Sequence, residues 1–127
     1  MGLDERMRDD STTIKELKGK VQKFCEERDW DQFHNPKDLA IGVSTEASEL
    51  LDIFRFKREG DIKEIMSNSS KRQMIGEELA DVLYFLLRFA QMNKFDLSSE
   101  LEKKIKKNAV KYPIKKAKGS NKKYNEL

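Results

Sequence analysis

The sequence predicts an all-α protein, and two observations support this fold class. Apolar residues recur three and four positions apart along most of the chain, and no run alternates apolar and polar residues with the β-branched enrichment of a strand. The length of 127 residues suffices for one hydrophobic core and is too short for two independent ones. We therefore expect a bundle of four to five helices over residues 13–112, with a flexible segment at 1–12 and a basic tail at 113–127.

The first helix is predicted to begin after Thr13. Thr13 and Glu16 have the separation of a capping box, and apolar positions continue at helical spacing to about Arg28. Cys25 falls on the apolar face of this helix, which predicts a small core residue rather than a reactive thiol. Because it is the only cysteine, an intramolecular disulfide is excluded, which favours a reducing, cytoplasmic location.

The second helix is predicted to begin at Pro36. Asn35 provides an N-cap, and a proline suits the first turn because its missing N–H is not needed there. Apolar positions recur to about Phe56, after which the sequence KREGD interrupts the pattern. We expect a loop after this point, holding a short turn over residues 62–66.

The third and fourth helices are predicted from the same kinds of signal. Ser69 or Ser70 caps the third helix, whose stretch over residues 79–90 is apolar on nearly every side and should be the most buried element. The fourth helix begins near Ser98 and ends at Pro113. The third helix should therefore lie at the centre of the bundle.

The C-terminal region is strongly basic, although the net charge of the chain is only +3. Ten lysines and no acidic residue lie between Lys103 and Asn125. A helical nucleic-acid-binding module is therefore an alternative function, but the region lacks arginine and offers only Tyr112 and Tyr124 for stacking, which disfavours nucleic acid as a partner. The sequence also lacks an apolar stretch of roughly 18 residues, so no membrane span is expected.

Four carboxylates lie on or beside the apolar stripes of the second and third helices. Glu46 falls inside the stripe of the second helix and Glu49 at its edge, while Glu78 and Asp81 repeat this arrangement on the third helix. Unpaired ionised carboxylates in a core cost more than the net stability of a small domain, so a cation must neutralise them. Each pair has a three-residue spacing, which lets its two members share one ion.

Two kinds of cation can neutralise these carboxylates. Most helical E-x-x-E pairs bind lysines or arginines of neighbouring helices, and this is the structural interpretation. Two such pairs on apolar stripes favour a metal instead, and Mg²⁺ prefers oxygen ligands of this kind. A di-iron centre needs Glu-x-x-His motifs, whereas the only histidine, His34, lies outside both helices. The sequence therefore predicts a divalent-metal site with these ligands: Glu46, Glu49, Glu78 and Asp81.

The carboxylate motif resembles that of the MazG-like all-α nucleoside triphosphate pyrophosphohydrolases. Their E-x-x-E followed some tens of residues later by E-x-x-D is matched by Glu46-Ala-Ser-Glu49, then 28 residues, then Glu78-Leu-Ala-Asp81. The resemblance runs from about Leu17 to the C-terminus and is closest to the dCTP pyrophosphatase branch. Five segments carry it: ERDWDQFHNPKDL, EASELLDIFRFK, EELADVLYFLLRFA, KKNAVKYP and KKYNEL.

This resemblance implies an enzyme that uses Mg²⁺ and cleaves nucleoside triphosphates between the α and β phosphates. Glu46 and Glu49 are then the catalytic carboxylates, and we favour Glu49 as the group beside the attacking water. The implied substrate is dCTP or a related nucleotide, and broad MazG-type activity on nucleoside triphosphates is the alternative. The resemblance also implies a homotetramer built as a dimer of dimers. A catalytically inactive oligomerisation module of the same fold is a third hypothesis.

Aromatic residues outside the motif are candidates for contacts with the base. Trp30, His34 and Phe56 offer flat rings for stacking and a ring nitrogen for hydrogen bonding. The resemblance implies a tryptophan at the position of Phe56 and a tyrosine at that of Phe85. Tyr84 and Phe85 are therefore also candidates for substrate contacts, with the hydroxyl either moved by one position to Tyr84 or lost. The structural interpretation is that Trp30 and Phe56 cover the core at helix ends.

Polar residues of the fourth helix are candidates for contacts with the triphosphate. Lys104, Asn108 and Lys111 are spaced by four and three residues, so they share one face. A lysine charge and an asparagine N–H both suit phosphate oxygens, and the resemblance places this lysine and asparagine near phosphate. The alternative is a solvated helix surface.

Overall fold

The structure, a computed structural model, describes residues 6–127 and is all-α over that range. It contains six α-helices and two short 3₁₀ helices within these residues, and no strand, which confirms the predicted fold class. The chain forms two compact units, one ending at Lys94 and the other running from Phe95 to Leu127, and each is described by itself. Residues 1–5, part of the predicted flexible segment, lie outside the described residues. The predicted boundaries at 13–112 and 113–127 remain predictions.

The first unit holds four α-helices and the second holds two. In the first unit these are α1 (Ile14–Glu26), α2 (Pro36–Phe54), α3 (Glu59–Ser67) and α4 (Ser69–Asn93), with a 3₁₀ helix at Asp31–Phe33. In the second unit they are α5 (Leu97–Lys111) and α6 (Ile114–Ala117), with a 3₁₀ helix at Tyr124–Glu126.

The predicted starts of α1 and α2 are confirmed. The Thr13 hydroxyl accepts a hydrogen bond from the backbone N–H of Glu16 at 3.1 Å, and the Glu16 carboxylate accepts one from the backbone N–H of Thr13. The Asn35 side-chain oxygen accepts from the backbone N–H of Asp38 at 2.8 Å, ahead of Pro36. Each cap satisfies an amide that the helix itself leaves unpaired.

Two local predictions were wrong. The N-cap of α4 is Asn68 rather than Ser69 or Ser70, because its side-chain oxygen accepts from the backbone N–H of Lys71 at 2.9 Å and the serines already lie in the helix. The predicted loop with a short turn at 62–66 is a nine-residue helix, α3, which begins with the acidic residues that favour a helix N-terminus.

Helix α4 is the centre of the first unit, as the sequence predicts. Helices α1, α2 and α3 all pack on it, and α2 makes the most extensive contact. The core holds Cys25 and Leu39 together with α4 side chains such as Leu87. As predicted, α4 has more buried residues than any other described helix, but its apolar stretch is not covered throughout, because Leu79 is 54% exposed and Leu83 40% exposed. A helix that is apolar on nearly every side needs covering on nearly every side, and α1 to α3 cover only part of it.

The helices of the described residues lack membrane-spanning character. None combines the length and the apolar composition that crossing a bilayer requires.

Candidate active site

Helices α2 and α4 bring three of the four predicted metal ligands together. One carboxylate oxygen from each of Glu46, Glu49 and Glu78 lies within 4.8 Å of the others. Asp81 is exposed and stands outside this group. Its negative charge nevertheless acts on Glu46 and Glu78. We refer to these four residues as the carboxylate cluster.

The carboxylate cluster is an unbalanced concentration of negative charge. Partial burial raises the pKa of Glu46, and the hydrogen bond and the charge of Glu49 raise it further, followed by the charges of Asp81 and Glu78. Partial burial likewise raises the pKa of Glu78, with the charge and hydrogen bond of Glu49 as the next causes. Each glutamate is therefore held in surroundings that oppose its ionisation.

Two oxygens of the cluster have no hydrogen-bond partner within the part of the chain that the structure describes. These are Oε2 of Glu46 and Oε2 of Glu78, and both are enclosed. Buried carboxylate oxygens normally find a donor or a cation, because an unsatisfied charge is costly. Enclosed, unsatisfied oxygens from two facing helices suit a hard divalent cation such as Mg²⁺.

An aromatic residue of α4 packs directly on the backbone of α2, one helical turn from the cluster. Phe85 follows Asp81 by four residues, and its ring lies so close to Gly42 that a β-carbon there would sit 2.5 Å from it. Only glycine allows this approach. Because Gly42 faces Phe85 while Glu46 faces Glu78, α2 and α4 run antiparallel with the cluster between them.

The hydroxyl of Tyr84 is directed toward a core residue, and its contact with substrate remains a prediction. It lies 3.0 Å from Sγ of Cys25, the buried core residue that the sequence predicts. Burial and this hydrogen bond raise the pKa of Tyr84. The rings of Tyr84 and Phe85 meet edge-on at 5.1 Å, so the pair forms one aromatic surface on α4.

Trp30 and His34 flank the 3₁₀ helix between α1 and α2 and face each other. Their ring centroids lie 6.3 Å apart, and Trp30 also packs edge-on against Phe24 at 5.6 Å. Phe24 in turn contacts Tyr84 at 6.2 Å. The rings thus form a continuous series from this segment to Tyr84 on α4. Asp81 lies on the preceding turn of the same helix. Two of the predicted base contacts are therefore joined to the helix that holds the cluster.

A buried arginine, Arg88, anchors this segment, and the sequence analysis missed it. Its side chain is 1% exposed and donates through Nε to Nδ1 of His34 at 2.9 Å, through NH1 to Oε1 of Gln91 at 2.6 Å, and through NH2 to Asp31. Burial lowers the pKa of His34, the charge of Arg88 lowers it further, and Asp31 raises it. A signal existed, because Arg88 is a lone charge inside an apolar run, as the carboxylates are.

Phe56 stands apart from the other predicted base contacts. It follows α2 with a positive φ of 62°, and its side chain is 90% exposed. The guanidinium of Arg55 lies 4.7 Å from its ring centroid. This position does not cover the core, so the structural interpretation of Phe56 was wrong.

The predicted triphosphate residues belong to the second unit. Lys104 on α5 is exposed and Asn108 is half-buried. The ammonium of Lys111 lies 4.8 Å from the ring centroid of Tyr124, which holds the last helical turn against the C-terminal segment of the same unit. Their contact with phosphate remains a prediction.

Comparison with known proteins places the chain in a family. The MazG-like family model matches residues 41–127. Human dCTP pyrophosphatase 1 (Homo sapiens) is 33% identical over 115 residues, covering 91% of this chain and 68% of that protein. Its counterpart in Rattus norvegicus is 31% identical with the same coverage.

A solved structure agrees with these sequence relatives. The crystal structure of a pyrophosphatase from Archaeoglobus fulgidus matches with a TM-score of 0.73 and 34% identity, covering 79% of this chain and 92% of that chain. The all-helical fold of the described residues agrees with this structural match. The chain therefore belongs to the MazG-like family, in the branch of the dCTP pyrophosphatases.

Proposed function

We propose that the chain hydrolyses dCTP to dCMP and pyrophosphate with Mg²⁺ as cofactor, and so removes this nucleotide or modified forms of it from the pool. The chain is a nucleoside triphosphate pyrophosphohydrolase, as its family and relatives establish. The preference for dCTP and the identity of the metal are the parts that we propose. The relatives named dCTP pyrophosphatase support the first, and the oxygen-only ligand set supports the second.

The observation that carries the proposal is the pair of enclosed, unsatisfied oxygens on Glu46 and Glu78. A structural cluster would place a lysine or arginine between the helices, but here the nearest charges acting on both residues are further carboxylates. Such a site binds a cation, and the bound cation can coordinate an anionic substrate in its remaining positions. A triphosphate is an anion of this kind.

We assign roles to the cluster on exposure and reach. Glu46 and Glu78 would hold the metal with their enclosed oxygens, and Asp81 would add a ligand from the exposed side. Bound Mg²⁺ supplies neutralisation of triphosphate charge and a lowered pKa for a nearby water. Glu49 is exposed, and in this proposal its carboxylate would accept the proton of a water that attacks the α phosphorus. The bond from the α phosphorus to the bridging oxygen breaks, and pyrophosphate leaves with the electron pair.

We propose that the remaining predicted residues contact the base or the phosphates, and the residues of each unit are taken separately. The Trp30 ring and the imidazole of His34 would contact the base, and Phe56 would stack on it from an exposed position. On the second unit, Lys104, Asn108 and Lys111 are proposed to bind the phosphates.

We also propose a homotetramer, built as a dimer of dimers, in the cytoplasm. Four leucines of α2 and α4 are 40 to 62% exposed, which is costly for side chains of this size: Leu51, Leu79, Leu83 and Leu86. A second copy of the chain would cover them. Light scattering tests the assembly, and a monomeric mass would contradict it.

A nucleotide panel tests the activity. We expect dCTP with Mg²⁺ to yield dCMP and pyrophosphate, no orthophosphate, and no turnover in chelator. The comparison substrates are dTTP, dUTP and the ribonucleotides. Equal kcat/KM across the panel would favour broad MazG-type specificity, and absence of turnover with every nucleotide would contradict the proposal.

A further inference from the structure

We propose that Arg88 is a positioning residue that fixes His34 as the neutral tautomer with its proton on Nε2, so that His34 offers a hydrogen-bond donor and selects a base with an acceptor there. The preference for such a base rests on the proposed function. The tautomer itself does not.

The direction of one hydrogen bond determines the tautomer. Nε of Arg88 lies 2.9 Å from Nδ1 of His34, and a guanidinium keeps its protons in proteins, so Nε–H can only donate. Nδ1 must therefore accept and carries no proton. The remaining proton of a neutral imidazole is then on Nε2.

Two further hydrogen bonds hold the guanidinium in place. NH2 donates to Asp31, on the 3₁₀ helix that separates Trp30 from His34, and NH1 donates to Gln91, one turn further along α4. Arg88 thus ties the Trp30–His34 segment to α4 through donors that point in fixed directions. A lysine at this position keeps the charge but cannot reproduce the planar set of donors.

The charges around His34 favour the neutral imidazole, as the hydrogen-bond geometry does. Protonation of Nδ1 would place two N–H groups against each other and add a positive charge beside the buried guanidinium. Asp31 carries the opposing negative charge, but it is 53% exposed and is already paired with Arg88. Burial and Arg88 accordingly lower the pKa of His34 despite Asp31.

The tautomer has a consequence for base selection. N3 of cytosine is an acceptor, whereas N3 of uracil and thymine carries a proton. A fixed Nε2–H donor of His34 can hydrogen-bond to N3 of cytosine. Against uracil or thymine the same donor would face the N3–H group, and neither group could accept. A site that leaves a polar group unpaired discriminates strongly against the mismatched substrate. Arg88 would therefore favour dCTP over dUTP without touching either.

The imidazole spectrum tests the tautomer directly, because the chain has one histidine. In nucleotide-free protein with chelator, ¹⁵N–¹H correlation spectra should show a protonated Nε2 and an unprotonated, hydrogen-bonded Nδ1. In Arg88→Lys we expect a mixture of tautomers. The matched control is Arg72→Lys on the same helix, which removes an exposed arginine and should leave the pattern unchanged. A proton on Nδ1 in the unchanged protein would overturn the proposal.

Kinetics test the consequence for specificity. We expect Arg88→Lys to reduce the ratio of kcat/KM for dCTP to that for dUTP by about tenfold or more, chiefly by raising KM for dCTP. Arg72→Lys should keep the ratio. If the tautomer changes and the ratio does not, the specificity inference is overturned. If the unchanged protein hydrolyses no nucleotide, the proposed function fails, and the imidazole spectrum alone decides the positioning role.

Asp31→Asn provides a second variant that keeps the shape of the network. Because Asp31 is half exposed, this substitution should leave the fold intact while weakening the hold on the guanidinium. We expect the tautomer pattern and the dCTP-to-dUTP ratio of kcat/KM to change in the same direction as in Arg88→Lys, but by less. An unchanged tautomer and an unchanged ratio in both folded variants would overturn the role of Arg88.

Discussion

The carboxylate cluster and the surroundings of Arg88 are two charged regions of one helix, and they are satisfied in opposite ways. Arg88 is 1% exposed and donates to three side chains, one of them a carboxylate. In the cluster, Glu46 and Glu78 each keep an enclosed oxygen for which the described residues provide no partner. The charge of the first region is paired within the chain, whereas we propose that the second binds a cation from outside it.

The difference teaches how to separate structural charges from functional ones. Burying a charge is costly in either region, so each must be compensated. Where the compensation comes from within the chain, as at Arg88, removing the charge should destabilise the fold. Where we propose that a ligand supplies the compensation, as at Glu46, removing the charge should stabilise the free protein and abolish metal binding or catalysis. The predictions below test this contrast.

The largest expected effect is the loss of activity in Glu49→Gln. The amide keeps the size of the side chain but cannot accept a proton from water, so we expect kcat to fall by roughly 10²- to 10⁴-fold. The thermal unfolding midpoint should stay the same or rise, since a like charge has been removed from the cluster. Steady-state assays of pyrophosphate release and a thermal melt give both values.

Glu64→Gln is the matched control for this variant. Glu64 is exposed on α3, so this substitution makes the same chemical change at a position outside the cluster. Its activity should equal that of the unchanged protein. Retention of more than a tenth of the activity by Glu49→Gln would exclude the role that we assign to Glu49.

The next largest effect is the destabilisation expected for Arg88→Met. This variant leaves Asp31, His34 and Gln91 without their shared donor, and we expect a loss of about 2–4 kcal/mol in the free energy of unfolding. The estimate is below that for a fully buried ion pair, because Asp31 is half exposed and water can replace part of the interaction. Urea denaturation measures it. If Arg88→Met is as stable as the unchanged protein, Arg88 does not stabilise the fold and the contrast with the carboxylate cluster is wrong.

The sequence revealed one of these two regions and not the other, although both show a charge within an apolar stretch. The carboxylates could be predicted because each pair lies three residues apart on one helix and recurs on a second. Arg88 finds His34 and Asp31 at separations of 54 and 57 residues. Pairing over that distance depends on how the 3₁₀ segment folds back on α4, which periodicity does not specify.

Helix boundaries show a similar limit. Periodicity predicted α1, α2, α4 and α5 because each has a long apolar face. The cap of α4 was misplaced because Asn68 and the two serines after it are all good capping residues, and only the geometry of the Asn68 side chain distinguishes them. Exposure of Leu79 and Leu83 was missed because apolar character alone does not say whether the same chain supplies the covering surface.

A third prediction concerns the stability of the cluster with and without metal. In chelator, Glu46→Gln should melt a few degrees above the unchanged protein, because the substitution removes repulsion among carboxylates. Mg²⁺ at about 100 times its Kd should stabilise the unchanged protein by roughly 2.7 kcal/mol and the variant far less. Thermal melts with and without Mg²⁺ measure both effects.

The pH dependence of the metal-free protein gives an independent check on the same region. The folded pKa values of Glu46 and Glu78 are raised, so the folded state binds more protons than the unfolded state above the ordinary pKa of a glutamate. Stability should therefore fall as the pH rises through that range, and less steeply in Glu46→Gln. If the free energy of unfolding of the unchanged protein instead rises with pH in this range, and rises more than that of Glu46→Gln, then the charges of the cluster are compensated in the metal-free protein.

The smallest expected effect extends the contrast to an aromatic side chain. Trp30 packs against Phe24 and His34, whereas Phe56 is 90% exposed and has a positive φ of 62°. An exposed ring in a conformation that non-glycine residues seldom adopt contributes little to folding, so Phe56→Asn should change the free energy of unfolding by less than about 0.5 kcal/mol. If the ring stacks on the base, KM for dCTP should nevertheless rise several-fold while kcat changes little. An unchanged KM would remove Phe56 from the site, and a marked loss of stability would mean that its ring is packed within the protein.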